Sequence, residues 1–207
     1  MSEQERHTDD LRLIRKMMEE SSRFLSLSGL SGVFIGLYAI LGVLVAKIFI
    51  LSGDIFSNFQ LVPDTAGADQ KKMLLLLAFL ILLPALGTAY YFALKESKAK
   101  NKQIWSQVTK NLLLNLFVPL FAGAFFILAL IINGNFEYLG ASMLIFYGIA
   151  LFNAGKFTFG EVQVLGILEI VLGVCAALFP SIDILMWLVG FGLLHILYGL
   201  ILHRKYR

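Results

Sequence analysis

The chain has 207 residues, of which 58% are hydrophobic and only 15% are charged, whereas soluble domains carry about 25% charged residues. The net charge of +3 is too small to indicate a nucleic-acid partner, and a single cysteine, Cys175, excludes an internal disulfide and a CxxC metal motif. The apolar residues fall in blocks of about 18 or more, the length of helices that cross a membrane. The composition predicts an all-α, polytopic integral membrane protein whose main surroundings are the lipid bilayer.

Residues 1–23 are polar and rich in charge, and we expect them to form a cytoplasmic amino-terminal segment. Leu11, Ile14, Met17 and Met18 fall on one stripe of a helix within this segment. Such a helix can lie on the inner leaflet or bind a cytoplasmic protein partner, and an ordinary solvated face fits the pattern equally well. No small-x-small cleavage site follows the first apolar block, so we expect that block to remain as an anchor.

The transmembrane domain is predicted to cover residues 24–203, with a basic cytoplasmic tail at 204–207. Polar breaks divide this domain into a bundle of six helices. Their predicted bounds, in chain order, are 24–51, 73–94, 111–132, 138–155, 161–179 and 183–203. The loops therefore alternate between the two sides of the membrane.

Lysine and arginine predict the orientation, because positive charge is retained on the cytoplasmic side. They are concentrated in the amino-terminal segment, in the loops after the second and fourth helices, and in the tail. The opposite side carries only Lys47, Lys71 and Lys72. We therefore expect a multi-pass protein of the cell membrane, either plasma or inner, with both termini in the cytoplasm. Lys47 is expected to extend toward the outer interface and to have no further role.

Two short connections carry signals for helix starts. Thr158 and Glu161 have the spacing of a capping box, so Thr158 is predicted to cap the fifth helix and Glu161 to bond back to it. Ser181 is predicted to cap the sixth helix after Pro180, where the positive helix start also favours Asp183.

A ridge of small residues marks the first helix. Ser28, Gly32 and Gly36 recur at four-residue steps and lie on one face. Small residues let two helix backbones approach closely in a membrane. The ridge predicts close packing inside one protomer or between two protomers, which leaves a homodimer open.

Similar stripes occur in the fifth and sixth helices, and each contains one ionisable residue. The first stripe is Gly166, Glu169 and Gly173, and the second is Gly192, His195 and Gly199. A short turn joins the two helices, so they run antiparallel and residues equally far from the turn lie level.

Glu169 and His195 are equally far from Ile182, and are therefore predicted to face each other near the middle of a hydrocarbon core of about 30 Å. The glycines of the two stripes are predicted to lie level with each other and to permit close approach of the two backbones. A carboxylate in this position would be costly without a partner.

Burial disfavours the charged form of each residue, whereas their mutual attraction favours it. The pair can therefore share one proton, which is the condition for a proton relay or a switch. A hydrogen bond that only holds two helices together is the alternative interpretation.

Further polar side chains are concentrated in the predicted cytoplasmic half of the bundle. We select Asn115, Tyr147 and Tyr198, which come from the third, fourth and sixth helices, as candidates for lining a proton or substrate path. A cavity that opens toward the cytoplasm would explain this asymmetry. Tyrosine at a membrane interface would also explain part of it.

These features favour a small membrane transporter or channel-like protein, with the Glu169–His195 pair as the candidate for proton coupling. The alternative is a non-transporting subunit, assembly factor or regulator whose charged amino-terminal helix and basic second loop bind a partner. No soluble-type catalytic motif occurs, so no enzyme activity is predicted. No cofactor is predicted either, because His195 and His203 lie on one helix and cannot ligate a haem from opposite sides.

Overall fold

A computed structural model of the chain describes residues 28–51, 60–63, 65–99 and 105–206. The predicted amino-terminal segment 1–23 lies outside these residues. Within them, six helices are long and apolar enough to cross a membrane. They are α1 Gly29–Ile50, α2 Ala68–Ala99, α3 Gln107–Ile132, α4 Phe136–Phe157, α5 Gly160–Leu178 and α6 Pro180–Lys205. The prediction of an all-helical chain with six helices of spanning length is confirmed for this part of the protein.

The predicted bounds fit five helices closely, whereas α2 is longer than expected. The sequence predicted residues 73–94, but the helix extends from Ala68 to Ala99. The added turns contain charged residues such as Asp69, Lys72 and Lys98. Hydropathy locates only the apolar part of a helix, while lysine and glutamate are good helix formers and continue it beyond that part.

The helices form two groups that meet along one seam. In the first group α1 contacts both α2 and α6, and in the second group α4 contacts both α3 and α5. Helix α6 also contacts α5 and α4, chiefly near the turn at Pro180–Ile182. Helices α2 and α3 stand at the periphery, and no residue in the most apolar part of α2 is buried. We call the two ends of the bundle the Asp183 end and the Lys205 end, after the residues of α6 that lie there.

The small-residue ridge of α1 packs against α6 within the same protomer. A Cβ atom built on Gly36 would lie 2.5 Å from the carbonyl oxygen of Gly192, and one on Gly32 would lie 3.2 Å from the Cα atom of Gly199. A side chain at Gly36 would force the two backbones apart, and one at Gly32 would fit only tightly. Ser28 lies just before the helix, where its carbonyl oxygen accepts a hydrogen bond of 2.6 Å from the Ser31 hydroxyl.

The glycines of α5 face α4, which differs from the predicted packing against α6. A Cβ atom on Gly166 would lie 2.7 Å from the carbonyl oxygen of Gly148, and one on Gly173 would lie 2.9 Å from the backbone nitrogen of Ile145. Gly192 and Gly199 of α6 face α1 instead. The close approaches are therefore α4 with α5 and α1 with α6, and side chains fill the space between α5 and α6.

Both predicted helix caps are wrong. No side chain caps α5, and the Thr158 hydroxyl has no hydrogen-bond partner among the described residues. Glu161 instead accepts a hydrogen bond of 2.5 Å from Lys205 Nζ and one of 3.2 Å from the Tyr206 hydroxyl. Helix α6 begins with a 3-10 turn at Pro180, and Ser181 does not cap the helical turn that follows. At the start of α5, contacts from the far end of α6 replace the local bond that spacing alone suggests.

The packing of α1 on α6 gives a first prediction. Gly36→Val inserts a side chain against the backbone of α6, and overpacking of this kind costs about 1–3 kcal/mol. We expect a lower unfolding temperature in detergent for this variant. Gly87→Val is the matched control, because a Cβ atom at Gly87 meets nothing within 4 Å. Equal unfolding temperatures for the two variants would contradict the packing described here.

Candidate functional site

The structure brings Glu169 of α5 and His195 of α6 together in the centre of the protein. His195 Nδ1 lies 3.4 Å from Glu169 Oε1. The two residues are 0% and 2% exposed, so neither reaches the surface of the bundle. They sit on the seam between α5 and α6 that the glycines leave open. An acid and an imidazole are therefore enclosed at the same level of two antiparallel helices.

His195 is held through both of its ring nitrogens. Nδ1 lies 3.0 Å from the carbonyl oxygen of Gly190, and Nε2 lies 2.8 Å from the hydroxyl of Tyr147. A carbonyl oxygen can only accept, so Nδ1 carries the hydrogen and donates it. In the neutral ring Nε2 then accepts the hydroxyl proton of Tyr147, which links α4 to the pair.

The backbone of α6 is adapted to this arrangement. Residues Leu188–Leu194 form a π-helical segment, a wider turn that is common at functional sites. Gly190 lies within it, so its carbonyl oxygen is available to the ring of His195. A Cβ atom on Gly190 would collide with Glu169 Oε2, and glycine therefore leaves the space that the carboxylate fills.

The carboxylate of Glu169 is enclosed but poorly bonded. Neither of its oxygens accepts a hydrogen bond of good geometry from the residues that the structure describes. His195 Nδ1 lies 3.0 Å from the carbonyl oxygen of Gly190 but 3.4 Å from Glu169 Oε1. Its N–H therefore donates to Gly190. A buried ionised group without bonds costs several kcal/mol, while a protonated carboxyl group costs much less. The Glu169 carboxylate can therefore bind a proton without losing an existing hydrogen bond.

Two apolar clusters close the site along the bundle axis. Toward the Asp183 end lies the Ala141 cluster, made of Ala141, Leu144 and Ala176 with Leu172, Ala177, Met186, Trp187 and Phe191 against them. Toward the Lys205 end lies the Phe159 cluster, made of Phe159, Val162 and Leu202 with Leu151 and Tyr198 against them. Tyr147 on α4, Glu169 on α5 and His195 on α6 each lie between residues of the two clusters. The pair is thus shielded on both sides.

Aromatic rings fill the space around the imidazole. Phe191 lies 5.0 Å from the ring of Tyr147 and 5.8 Å from that of His195, and the ring planes of Phe191 and His195 differ by 18°. Trp187 continues the row one turn further along α6, at 5.0 Å from Phe191. These rings fix the orientation of His195 and keep its surroundings apolar.

The other selected polar residues occupy different places. Asn115 donates a hydrogen bond of 2.8 Å to the carbonyl oxygen of Asn111 in its own helix, which is how a polar side chain satisfies itself in an apolar helix. Tyr198 belongs to the Phe159 cluster, one turn of α6 away from His195. Of the three, only Tyr147 contacts the pair.

Sequence reasoning missed three residues that shape the site: Gly190, Phe191 and Leu144. Gly190 lies outside the glycine stripe of α6, because the π-helical turn changes which residues share a face. Phe191 and Leu144 are apolar residues in apolar helices, and no local signal separates them from lipid-facing neighbours. Gly190 and His195 are five residues apart, which is the i to i+5 spacing of a π-helical turn. This spacing is the one sequence signal that could have identified Gly190.

Comparison with protein-family models, with curated proteins and with solved structures gives no match to this chain. The function is therefore argued from the geometry of the site.

The bond from Tyr147 to His195 gives a second prediction. Tyr147→Phe removes the donor to Nε2, and we expect a loss of about 1 kcal/mol in unfolding free energy, the usual scale of polar bonds between membrane helices. The nitrogen NMR signals of the His195 ring should also shift, since Nε2 loses its partner. Tyr38→Phe is the control, because it removes a bond of 3.2 Å between Tyr38 and Thr88 elsewhere. Identical His195 signals in wild type and Tyr147→Phe would refute the assigned bond.

Proposed function

We propose that this chain is a small membrane transporter or channel-like protein in which Glu169 and His195 bind and release a proton. One observation carries the proposal: a fully buried carboxylate faces an imidazole and has no other bonding partner among the described residues. Ionisable residues in this position in membrane proteins mark ion and proton pathways by default.

The donor set favours a proton over a metal ion. Within the described ranges, no three His, Cys, Asp or Glu side chains converge on one point. Calcium takes six to eight oxygen ligands and magnesium a near-octahedral set, whereas a proton needs a single oxygen or nitrogen atom. Glu169 and His195 each supply one such atom, and the apolar clusters around them exclude larger hydrated ions.

A purely structural role for the Glu169–His195 pair does not account for its geometry. A polar bond between membrane helices contributes about 0.6–2 kcal/mol, which is less than the desolvation of an ionised carboxylate costs. A pair selected only to hold α5 against α6 would direct the imidazole N–H fully at the carboxylate. Here the N–H is directed at Gly190, and Glu169 is left able to gain or lose a proton.

The closure on both sides favours a transporter that exposes the pair to one side at a time. Opening the Phe159 cluster would give access from the Lys205 end, and opening the Ala141 cluster would give access from the Asp183 end. The described helix termini place Lys95, Lys98, Lys110, Lys156, Arg204 and Lys205 at the Lys205 end. On this basis we propose that the Lys205 end is cytoplasmic, with both termini on that side of a plasma or inner membrane.

A second candidate function, that of a non-transporting subunit or regulator, is favoured by the periphery of the bundle. Helices α2 and α3 bury almost none of their most apolar residues, in contrast to α4, where half are buried. Their faces meet either lipid or another membrane protein, including a second copy of this chain. Purification of the full-length chain with a stoichiometric partner, together with absence of proton flux, would favour this second function.

The third prediction tests the proton-handling role directly. Glu169→Gln keeps the size of the side chain and removes its titration. In liposomes with a pH gradient and a trapped pH-sensitive dye, we expect this variant to lose proton flux by about 100-fold or more, the scale on which a proton-transfer group acts. The wild-type flux should depend on pH.

Glu161→Gln is the matched control, because Glu161 lies on the same helix but is paired with Lys205 at its end. It should retain flux. Folding of each variant is checked by its elution profile and unfolding temperature. Unchanged flux in a folded Glu169→Gln variant would reject the proton-handling role.

A further inference from the structure

Two further buried ionisable residues lie at the Asp183 end, beyond the Ala141 cluster. Lys47 of α1 and Asp183 of α6 are 4% and 1% exposed, and they lie within electrostatic range of each other. Lys47 was expected to extend outward to the interface. Instead it lies in the π-helical last turn of α1, Ala46–Ile50, and is buried within the protein. The chain therefore places two charged residues in its interior that the proposed function does not yet use.

Groups from three parts of the chain lie near Asp183. The backbone N–H of Leu61, from the connection between α1 and α2, donates a hydrogen bond of 2.6 Å to Oδ1. Helix α4 presents Gly140, on which a Cβ atom would lie 3.1 Å from Oδ2. Lys47 is the charged group that faces Asp183 from α1. Lys71, at the same end, instead places its Nζ 4.2 Å from the centre of the Phe136 ring.

One face of α4 aligns this pair with the central site. Gly140, Leu144 and Tyr147 recur at helical spacing and share that face. Gly140 contacts Asp183, Leu144 lies against Gly190 beside the Glu169 carboxylate, and Tyr147 bonds His195. Gly190, which meets the Glu169 carboxylate, is seven residues along α6 from Asp183, a rise of about 10 Å, and the Ala141 cluster with Leu144 fills that interval.

We propose that Asp183 is a second proton-binding group on the same path, with Lys47 as its counter-ion and Leu144 as the apolar barrier between Asp183 and Glu169. A proton that leaves water forms an O–H bond with the carboxylate of Asp183. That bond breaks when the proton passes to water that enters once Leu144 has moved aside, and the carboxylate of Glu169 takes a proton from that water. Lys47 offsets the charge that Asp183 regains. This inference rests on the proposed function and assigns the Asp183 end of the path.

An ion pair that only anchors the connection between α1 and α2 is the competing interpretation. A buried ion pair gives little net stability, because desolvation offsets the attraction between its members. The two interpretations differ in one observable property. An anchoring carboxylate stays ionised, whereas a path carboxylate gains and loses a proton as the pH changes.

The test is infrared difference spectroscopy of the full chain in liposomes, recorded between two pH values. We expect a carbonyl stretch of a protonated carboxyl group that disappears in Asp183→Asn and persists in Asp69→Asn. Asp69 is the matched control, since it is an exposed aspartate at the same end. A spectrum without a band that depends on Asp183 overturns the inference, whatever the flux.

Flux measurements separate this inference from the proposed function. We expect Asp183→Asn to slow proton flux by about tenfold or more, while Asp69→Asn leaves it unchanged. Loss of flux in Glu169→Gln with full flux in Asp183→Asn overturns the inference and leaves the proposed function intact. Absence of flux in the wild type overturns both.

If the Asp183→Asn variant does not fold, Leu144→Ala provides a second test. This change retains every ionisable group and reduces the barrier between Asp183 and Glu169. We expect a faster proton flux than in the wild type. An unchanged or slower flux in a folded Leu144→Ala variant contradicts the assigned barrier.

Discussion

The free energy of placing charge in hydrocarbon is the constraint on which this structure depends. An isolated charged residue at the centre of a membrane helix costs roughly 3 kcal/mol on insertion scales and more in other treatments. The chain meets this constraint by placing its buried ionisable groups near one another in the interior. Glu169 faces His195, and Asp183 faces Lys47. All four residues lie against the inner helices of the bundle, and α4 or α1 covers each pair from the lipid.

Glycine packing determines where such groups can meet. Gly36 and Gly32 hold α1 close to α6, while Gly166 and Gly173 hold α5 close to α4. Helices α5 and α6 are therefore joined by a turn but are drawn toward different neighbours. The space that remains between them is wide enough for two long polar side chains and narrow enough to exclude the surroundings. The same backbone contacts that stabilise each group of helices thus create the seam that holds the site.

The sequence predicts the six helices because their apolar blocks are long, and equal distances from Ile182 put Glu169 and His195 at the same depth. It does not predict the partners of the glycines. The turn at Thr158–Phe159 is as short as the turn at Pro180–Asp183, so α5 has two adjacent neighbours, and composition does not select one. The contact of α1 with α6 joins distant parts of the chain and leaves no local signal. Lys47 was misassigned from its position near the helix end, although it follows Gly36 by 11 residues, about three helical turns, and so lies on the face that packs against α6.

The hydrogen on His195 Nδ1 connects protonation to the backbone of α6. While the carbonyl oxygen of Gly190 accepts this hydrogen, Glu169 cannot transfer a proton to Nδ1, and the ring can gain one only at Nε2, beside Tyr147. Once the ring has gained a proton at Nε2, it can pass the Nδ1 proton to an ionised Glu169, and the carbonyl of Gly190 would then have to release that hydrogen. Gly190 belongs to the π-helical segment Leu188–Leu194, so such a movement would alter the geometry of α6 at that segment. In the proposed transporter, a change in charge at the site would thereby be linked to a change in helix geometry.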